Sequence, residues 1–544
     1  MFAKSCVTTA AARRPRGVRG LAVMLSAGVV ALGLSAGTAG ATEAAEGTET
    51  LCPSGPFVDP VDDPHSLYNT AKEIGAFAYW NAGYTGAGVD VAVIDTGVAP
   101  VPGLDTPGKV IHGPDLSFES QSTNQRYRDT FGHGTHLASI ITGIASGARI
   151  VSVKVGDNDG AVDVTQVIAA IDWVVQHRND AGMNIRVLNL AYGLESGQSV
   201  ANDPLAYAVE QAWKAGIVVV VSGGNDGETD VNSKKPLNSP AYSHRIIAVG
   251  SYDPAANPMA LSTFTSDSSR RIVDFVAPGA SIAAARVCGS AQDEAIAQDW
   301  AEADATRTPR VNPYVGDTLV RGSGTSQSAA VVSGAVALML QKNPCWWPEQ
   351  VKSVLRETAV AIKDAPINAQ GQGRVNLASA FRERRNCVTY TGQSGWSTGT
   401  GSIELARGGS SLVAANGVVL TGERDIFGRP LDVYRLAGQS YVDNKTQKLT
   451  NGGAWRMTPA GESWNGVVMA GTGFTFDAGL GTLAWGAVRW PTSFSGGLFA
   501  DPDWDRASWR TDDFQRGSWR TDSFERASWR SIFLRASWRH VNWR

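Results

Sequence analysis

Val91-Ala92-Val93-Ile94-Asp95-Thr96-Gly97 is an unbroken apolar run that ends in a carboxylate and a glycine turn. Consecutive rather than alternating apolar positions mark a strand covered on both faces, the habit of parallel sheets. With this strand drawn from Val89 to Ile94, five more short runs share its texture: Ile150 to Val155, Val187 to Leu190, Ile217 to Ser222, Ile246 to Val249 and Val273 to Ala277. Helices are predicted at His136 to Ile144, Val164 to His177, Pro204 to Ala215, Ser328 to Gln341 and Pro348 to Thr358. From about Tyr68 to Ala380 this alternation predicts an α/β fold of three layers, with a mainly parallel central sheet between helices. Chemistry in such sheets collects at the carboxyl ends of the strands. Asp95 stands at one of those ends.

The chain of 544 residues is too long for one ordinary core, so more than one domain is expected. A hydrophobic share of 43% beside 18% charged residues suits a globular protein, and 60 Gly with 24 Pro call for many turns rather than a helical bundle. Residues 286 to 320 break the α/β rhythm with Asp293, Glu294, Asp299 and Glu302 and read as a surface insertion. Beyond residue 388 the texture changes. Gly, Ser, Thr and Trp dominate 389–500, with turn pairs Asn451-Gly452 and Asn465-Gly466, and a β-rich or disordered extension is expected. Residues 501–544 then repeat Arg506-Ala507-Ser508-Trp509-Arg510 at Arg516 to Arg520, Arg526 to Arg530 and Arg535 to Arg539. Units this short must stack on one another or on something else. Tryptophans at fixed spacing with flanking arginines suit a ladder, glycan binding at the cell envelope or a surface hold; a mostly disordered tail is the plainer alternative.

Arg13, Arg14, Arg16 and Arg19 precede an apolar run from Leu21 to Leu34, and Ala39-Gly40-Ala41 offers a small-residue cleavage site. Residues 1–41 therefore read as an export signal cut after Ala41. An uncleaved anchor is the competing reading, because the run extended through Ala36 approaches spanning length. Cleavage removes Lys4 and the four arginines with no acid, making a chain of formal charge −3 five charges more negative. Nothing in that balance calls for a nucleic-acid partner. Cleavage also removes Cys6, and the remaining Cys52, Cys288, Cys345 and Cys387 are an even set that suits disulfides formed after export. Three pairings are open. Cys345 with Cys387 is favoured because both flank the last part of the α/β region. Residues 42–67 form a short N-terminal extension.

Three segments carry chemistry. Asp95 follows a buried strand, where a carboxylate orients an imidazole at a sheet edge; capping a loop is its ordinary alternative. Gly132-His133-Gly134-Thr135-His136 opens a helix, and glycine on both sides of His133 lets a substrate approach the backbone and leaves the ring uncrowded. His133 and His136 also stand three apart, as metal ligands do. No third ligand follows at a recognisable spacing, His136 has the apolar neighbourhood of a core histidine, and no metal site is assigned. Gly322-Ser323-Gly324-Thr325-Ser326-Gln327-Ser328-Ala329-Ala330 puts Ser326 where a glycine-rich loop becomes a long apolar helix, whose amide end favours negative charge on a reacting carbonyl. A plain helix cap is the alternative for Ser326. Acyl transfer from a peptide needs a nucleophile, a base, a group that orients the base, and donors for the oxyanion.

In this order, on this α/β pattern, the three segments resemble the subtilisin-like (S8) peptidase family over roughly residues 68 to 380, and the peptidase domain is set at 68–388. The resemblance implies a three-layer subtilisin-like fold, with Ser326 as nucleophile, His133 as general base and then acid, and Asp95 as the partner that fixes the imidazole tautomer. It also implies that Ser222-Gly223-Gly224-Asn225 is the oxyanion segment, Asn225 donating its side-chain amide; a turn before Asp226-Gly227 is the alternative use of Asn225. Asn189-Leu190-Ala191-Tyr192-Gly193 is similar to the family's substrate-pairing strand. Ala191, Tyr192 and Gly193 would then contact the peptide together with Ser222 and Gly223, Ala191 standing where Ser is usual. The family usually has Met after the nucleophile and a Pro three residues further on, where this chain has Gln327 and Ala330. Residues 42–67 are too few for the folding-assisting propeptide common in the family. Either the fold forms unaided or Cys52 belongs to a short clamp. Segments 401–407 and 421–428 resemble the Trp-rich tails of some actinobacterial secreted members.

The expected function is a secreted or cell-surface serine endopeptidase that acts on polypeptides through an acyl-enzyme, without a cofactor. Calcium sites and side-chain preference are not legible in the sequence. One rival keeps the triad and passes the acyl group to an amine, as a ligase or cyclase. Another is a surface-binding protein with a vestigial catalytic core, against which the intact triad residues argue.

Overall fold

Val91, Ala92, Val93 and Ile94 are shielded from solvent on both faces of their strand, as an apolar run without alternation requires. The computed structural model describes residues 52–424, apart from 122–123, 159, 228–236, 269, 303–311, 389–394 and 409–419, together with 441–442 and 449–450. The export signal with its anchor alternative and the repeats at 501–544 lie outside the described residues.

Thirteen strands and eleven α-helices are described. In chain order the strands are β1 (Asp90–Asp95), β2 (Val110–Asp115), β3 (Arg149–Lys154), β4 (Ile185–Leu190), β5 (Val218–Ser222), β6 (Ile247–Asp253), β7 (Ala260–Leu261), β8 (Phe275–Pro278), β9 (Ile282–Ala285), β10 (Tyr314–Val315), β11 (Leu319–Gly322), β12 (Tyr441–Val442) and β13 (Leu449–Thr450). The helices are α1 (Leu67–Glu73), α2 (Phe77–Trp80), α3 (His133–Ile144), α4 (Val164–His177), α5 (Pro204–Lys214), α6 (Ala291–Glu302), α7 (Thr325–Lys342), α8 (Pro348–Thr358), α9 (Ile367–Gln370), α10 (Leu377–Ala380) and α11 (Ile403–Arg407).

The main sheet runs β2-β3-β1-β4-β5-β6-β7, with β8 also paired to β6, and every pairing except β6 with β7 is parallel. From β1 the chain goes to the edge strand β2, comes back through α3 to β3, and then passes β1 to β4 and β5 through α4 and α5. α3 packs with α7, and α4 packs with α5, as the two helical layers against the sheet. Three layers result. The carboxyl end of β1 is the switch point of the sheet, the place where α/β sheets generally bind ligands. Asp95 is the last residue of β1, in register with Lys154 of β3.

α7 packs beside α3 and is made almost wholly of Ala, Val, Ser, Gly and Leu, and from Thr325 to Leu340 every residue is buried. A helix apolar on all sides belongs in an interior. Two expected helices begin earlier: α3 starts at His133 and α7 at Thr325, so His133 and Ser326 each lie in a first helical turn. β2 was not expected, since Val110-Ile111-His112-Gly113-Pro114-Asp115 is a mixed sequence at a sheet edge.

The described residues of 286–320, expected as a surface insertion, are tied into the domain. Arg286 and Asp293 are both buried and joined side by side, with Arg286 Nη2 donating to Asp293 Oδ2 at 2.8 Å. Ala291 N and Gln292 N donate to Thr130 O and Phe131 O, so the start of α6 is hydrogen-bonded to the approach to His133. An acid whose arginine partner lies seven positions away gives no hint of burial in a composition count. Cys52 pairs with Cys288 and Cys345 with Cys387, the latter as favoured. Cys52 thus belongs to a clamp, supported by Gly55 N to Gly316 O and by a two-pronged ion pair between Arg321 and Asp63. Past residue 388, the segment 395–408 packs on α4 and α5 instead of standing apart, and β12 with β13 is the described β-structure beyond it. No helix among the described residues is long and apolar enough to cross a membrane.

Candidate active site

Asp95 and His133 meet at the switch point. The imidazole Nδ1 lies 2.9 Å from Asp95 Oδ1 and 3.1 Å from Oδ2, with both side chains inaccessible to water. Thr96 N donates to the same Oδ1 at 2.8 Å, so the carboxylate is held from two directions. α3 brings His133 here for a steric reason: a Cβ at Gly134 would fall 2.2 Å from Gly97 O. Only glycine permits that approach.

Sequence reading missed Asp129. Its carboxylate accepts from Gly132 N at 2.7 Å, Thr135 N at 2.7 Å and Thr135 Oγ1 at 2.6 Å, and from Thr96 Oγ1 at 2.8 Å. It caps the helix that begins at His133 and ties that helix to the residue after Asp95. The signal was an Asp shortly before a Gly-flanked helix start, which resembles any loop acid until the backbone is seen.

Ser326 occupies the first turn of α7, buried, and its Oγ makes no hydrogen bond among the described residues. Catalytic hydrogen bonds of this kind are often long at rest and tighten with substrate. The first turns of α3 and α7 converge at Gly322, where a Cβ would lie 2.7 Å from His136 Nε2 and 2.8 Å from Gln327 Nε2. His136, next along the helix face from His133, is a core histidine. Burial, with some help from neighbouring His133, pulls its pKa down to about 3 against the opposing Ala285 carbonyl. It is neutral, with Nδ1 3.3 Å from Ala285 O. Among the described residues no group of three or more His, Cys, Asp or Glu is placed to hold a metal ion.

Asn225 stands beside the same helix start. Thr325 N and Thr325 Oγ1 both donate to its Oδ1 at 2.9 Å, which leaves the NH2 as the end of the carboxamide turned away from Thr325. Ser222 ends β5, and Gly223 N donates to Val249 O at 2.8 Å. Ala191 and Tyr192 follow β4 and are buried, whereas Gly193 is partly exposed. Leu194 next to them exchanges both backbone hydrogen bonds with Ser239, at 2.8 and 2.7 Å. Asn238 and Ser239 were absent from the sequence reading, and no local motif marks them.

Residues 86–385 match the subtilase family of S8 peptidases. The serine protease AprX of Bacillus subtilis (strain 168) is 31% identical over 54% of this chain and 66% of its own length. Subtilisin BL of Lederbergia lenta is 30% identical over 57% of this chain and 97% of its own. The minor extracellular protease Epr of Bacillus subtilis (strain 168) is 28% identical, but the chain spans only 37% of it. With the family match covering more than half of its length and a mostly parallel α/β sheet placing Asp95 against His133, this chain belongs to the subtilase family.

Proposed function

We propose that the chain is an exported serine endopeptidase that hydrolyses polypeptides through an acyl-enzyme, using Asp95, His133 and Ser326. The observation that carries the reading is the buried contact of His133 Nδ1 with Asp95, set beside the start of α7, which bears Ser326 and is hydrogen-bonded to Asn225. In this mechanism Ser326 Oγ attacks the scissile carbonyl while His133 Nε2 takes its proton. Asp95 stabilises the imidazolium that forms. The carbonyl oxygen, now an oxyanion, receives the Asn225 side-chain amide and the Ser326 backbone N–H. The C–N bond breaks as His133 returns the proton to the departing amine, and water repeats the cycle to release the acid. The peptide lies beside Ala191, Tyr192 and Gly193 as an added strand, and Ser222 and Gly223 also contact it.

Export is part of the proposal. The four described cysteines form two disulfides, which suits an oxidising compartment. Envelope contact through the tryptophan repeats at 501–544 belongs to it on composition alone.

Digestion of a peptide library in 18O-labelled water tests the reading. Products carrying one new 18O in each new carboxyl group, together with a fluorophosphonate adduct on Ser326, are expected. Products joined without added water would favour the ligase or cyclase, and absence of both cleavage and adduct would favour the vestigial binder.

Asn225→Ala gives a separate expectation. With KM little changed, kcat falls by about 10²–10³, a magnitude known from subtilisin rather than obtained from this geometry. Steady-state rates on a chromogenic peptide decide it, and an unchanged kcat would return Asn225 to the role of a turn residue.

A further inference from the structure

Residues 395–408 and 420–424 belong to none of the proposed catalytic groups, yet they grip the residues next to them. Arg407 is buried, and its Nε donates to Asp163 Oδ2 at 2.7 Å. Asp163 caps α4, accepting from Thr165 N at 3.0 Å, while its own N–H donates to Gln166 Oε1 at 2.7 Å. The rest of the guanidinium holds Gly422 O at 2.7 Å, Glu404 Oε2 at 3.2 Å and Arg424 O, which closes the segment on itself. A buried charge pair this well bonded fixes geometry more than it adds net stability.

The same segment seizes the loop that follows Gly193. Gly197 N donates to Leu405 O at 2.9 Å, and Gln198 bonds Ser402 in both directions, at 2.8 and 2.9 Å. A Cβ at Gly408 would lie 2.1 Å from Glu195 O, so the two backbones touch. Ser397 Oγ donates to Asp203 O at 3.0 Å, and the Asp203 carboxylate accepts from Ser196 Oγ at 2.7 Å and Ser239 Oγ at 3.3 Å. Ser239 is the residue bridged to Leu194 beside the substrate-pairing positions. The Trp396 ring lies against Lys214 and Arg245, with cations 4.4 and 4.8 Å from its centroid. Loop 194–203 is thus held between the peptidase core and a segment some two hundred residues later in the chain.

We propose that residues 395–408 with 420–424 form a strap that sets the position of the substrate-pairing residues 191–193, with Arg407 as a positioning residue for extended peptides. The proposal rests on the peptidase reading above. A strand that pairs through its backbone tolerates little displacement, and a shift of about 1 Å costs up to about a hundredfold in rate. Short substrates, which use few of these backbone contacts, depend on it less.

The test uses the full chain with Arg407→Gln and, as a milder variant, Gln198→Ala, which removes a partly buried, uncharged side chain. Three rates are compared well below the melting temperature: labelling of Ser326 by a small fluorophosphonate, hydrolysis of a dipeptide anilide, and hydrolysis of a six-residue peptide anilide. The expected result is a loss of about tenfold or more in kcat/KM for the six-residue substrate, mainly through KM, with labelling and dipeptide hydrolysis within about twofold of the parent. An unchanged ratio between the long and short substrates in folded Gln198→Ala would overturn the strap, as would a uniform loss on all three measures. A parent chain that neither labels nor cleaves would instead bring down the peptidase reading, a different outcome.

Discussion

Ser326→Ala should leave the chain folded and lower peptide hydrolysis by on the order of 10⁶ in kcat, a figure carried over from subtilisin. Only one oxygen is removed, from a buried first-turn position where alanine is a good helix former, and that oxygen makes no hydrogen bond among the described residues. Stability is therefore expected within about 0.5 kcal/mol of the parent. His133→Ala should cost nearly as much, and the double variant no more than either alone, because groups that act as one unit do not add. Asp95→Asn should fall by about 10⁴, since the amide offers its NH2 where the imidazole needs an acceptor. Active-site labelling with single-turnover proteolysis gives the comparison. Parent-level cleavage by Ser326→Ala would remove Ser326 from the mechanism.

The second large effect lies behind the sheet. Lys154 faces Asp95 across the β1–β3 pair, and its ammonium is sealed from solvent, bonded to Glu119 Oε2 at 2.6 Å, Arg128 O at 2.5 Å and Thr96 O at 3.1 Å. Glu119 is equally buried, accepting also from Thr130 Oγ1 at 2.7 Å. Burial pushes its pKa up, and Lys154 pulls it back only in part. Lys154→Met strands that carboxyl group, with Asp115 nearby, and should destabilise the fold by about 3–5 kcal/mol. The melting temperature should drop on the order of 10 °C. Replacing both partners, as Lys154→Met with Glu119→Met, should recover most of the loss, because the pair's attraction and its desolvation nearly cancel. Urea denaturation in the Ser326→Ala background avoids self-digestion. A loss of unfolding free energy below about 1 kcal/mol for Lys154→Met would show that water reaches Glu119.

Buried β-strands announce themselves, and so did the order of Asp95, His133 and Ser326, because an apolar run followed by a polar residue and glycine is a local pattern. Helix starts were harder. α3 and α7 both begin three residues before the expected starts, since Asp129, just ahead of His133, and Asn225, a hundred residues before Thr325, shape those starts. β2 escaped notice for its edge position and its Gly113-Pro114. Asp293 looked like surface charge until Arg286 was beside it. Arg407 looked like one more arginine in a polar tail, and its partner Asp163 lies 244 positions earlier. Local chemistry was legible, whereas long-range pairing was not.

Ser326, the proposed nucleophile, rides on α7, whose residues Ala329 through Leu340 are shut away from water. Amides there exchange with solvent only when the whole domain opens, unlike those of a frayed loop. Heat should therefore not silence such a protein piecemeal: loss of proteolysis and collapse of the α/β core should coincide, and a residual-activity curve would read as a melting curve for the entire domain.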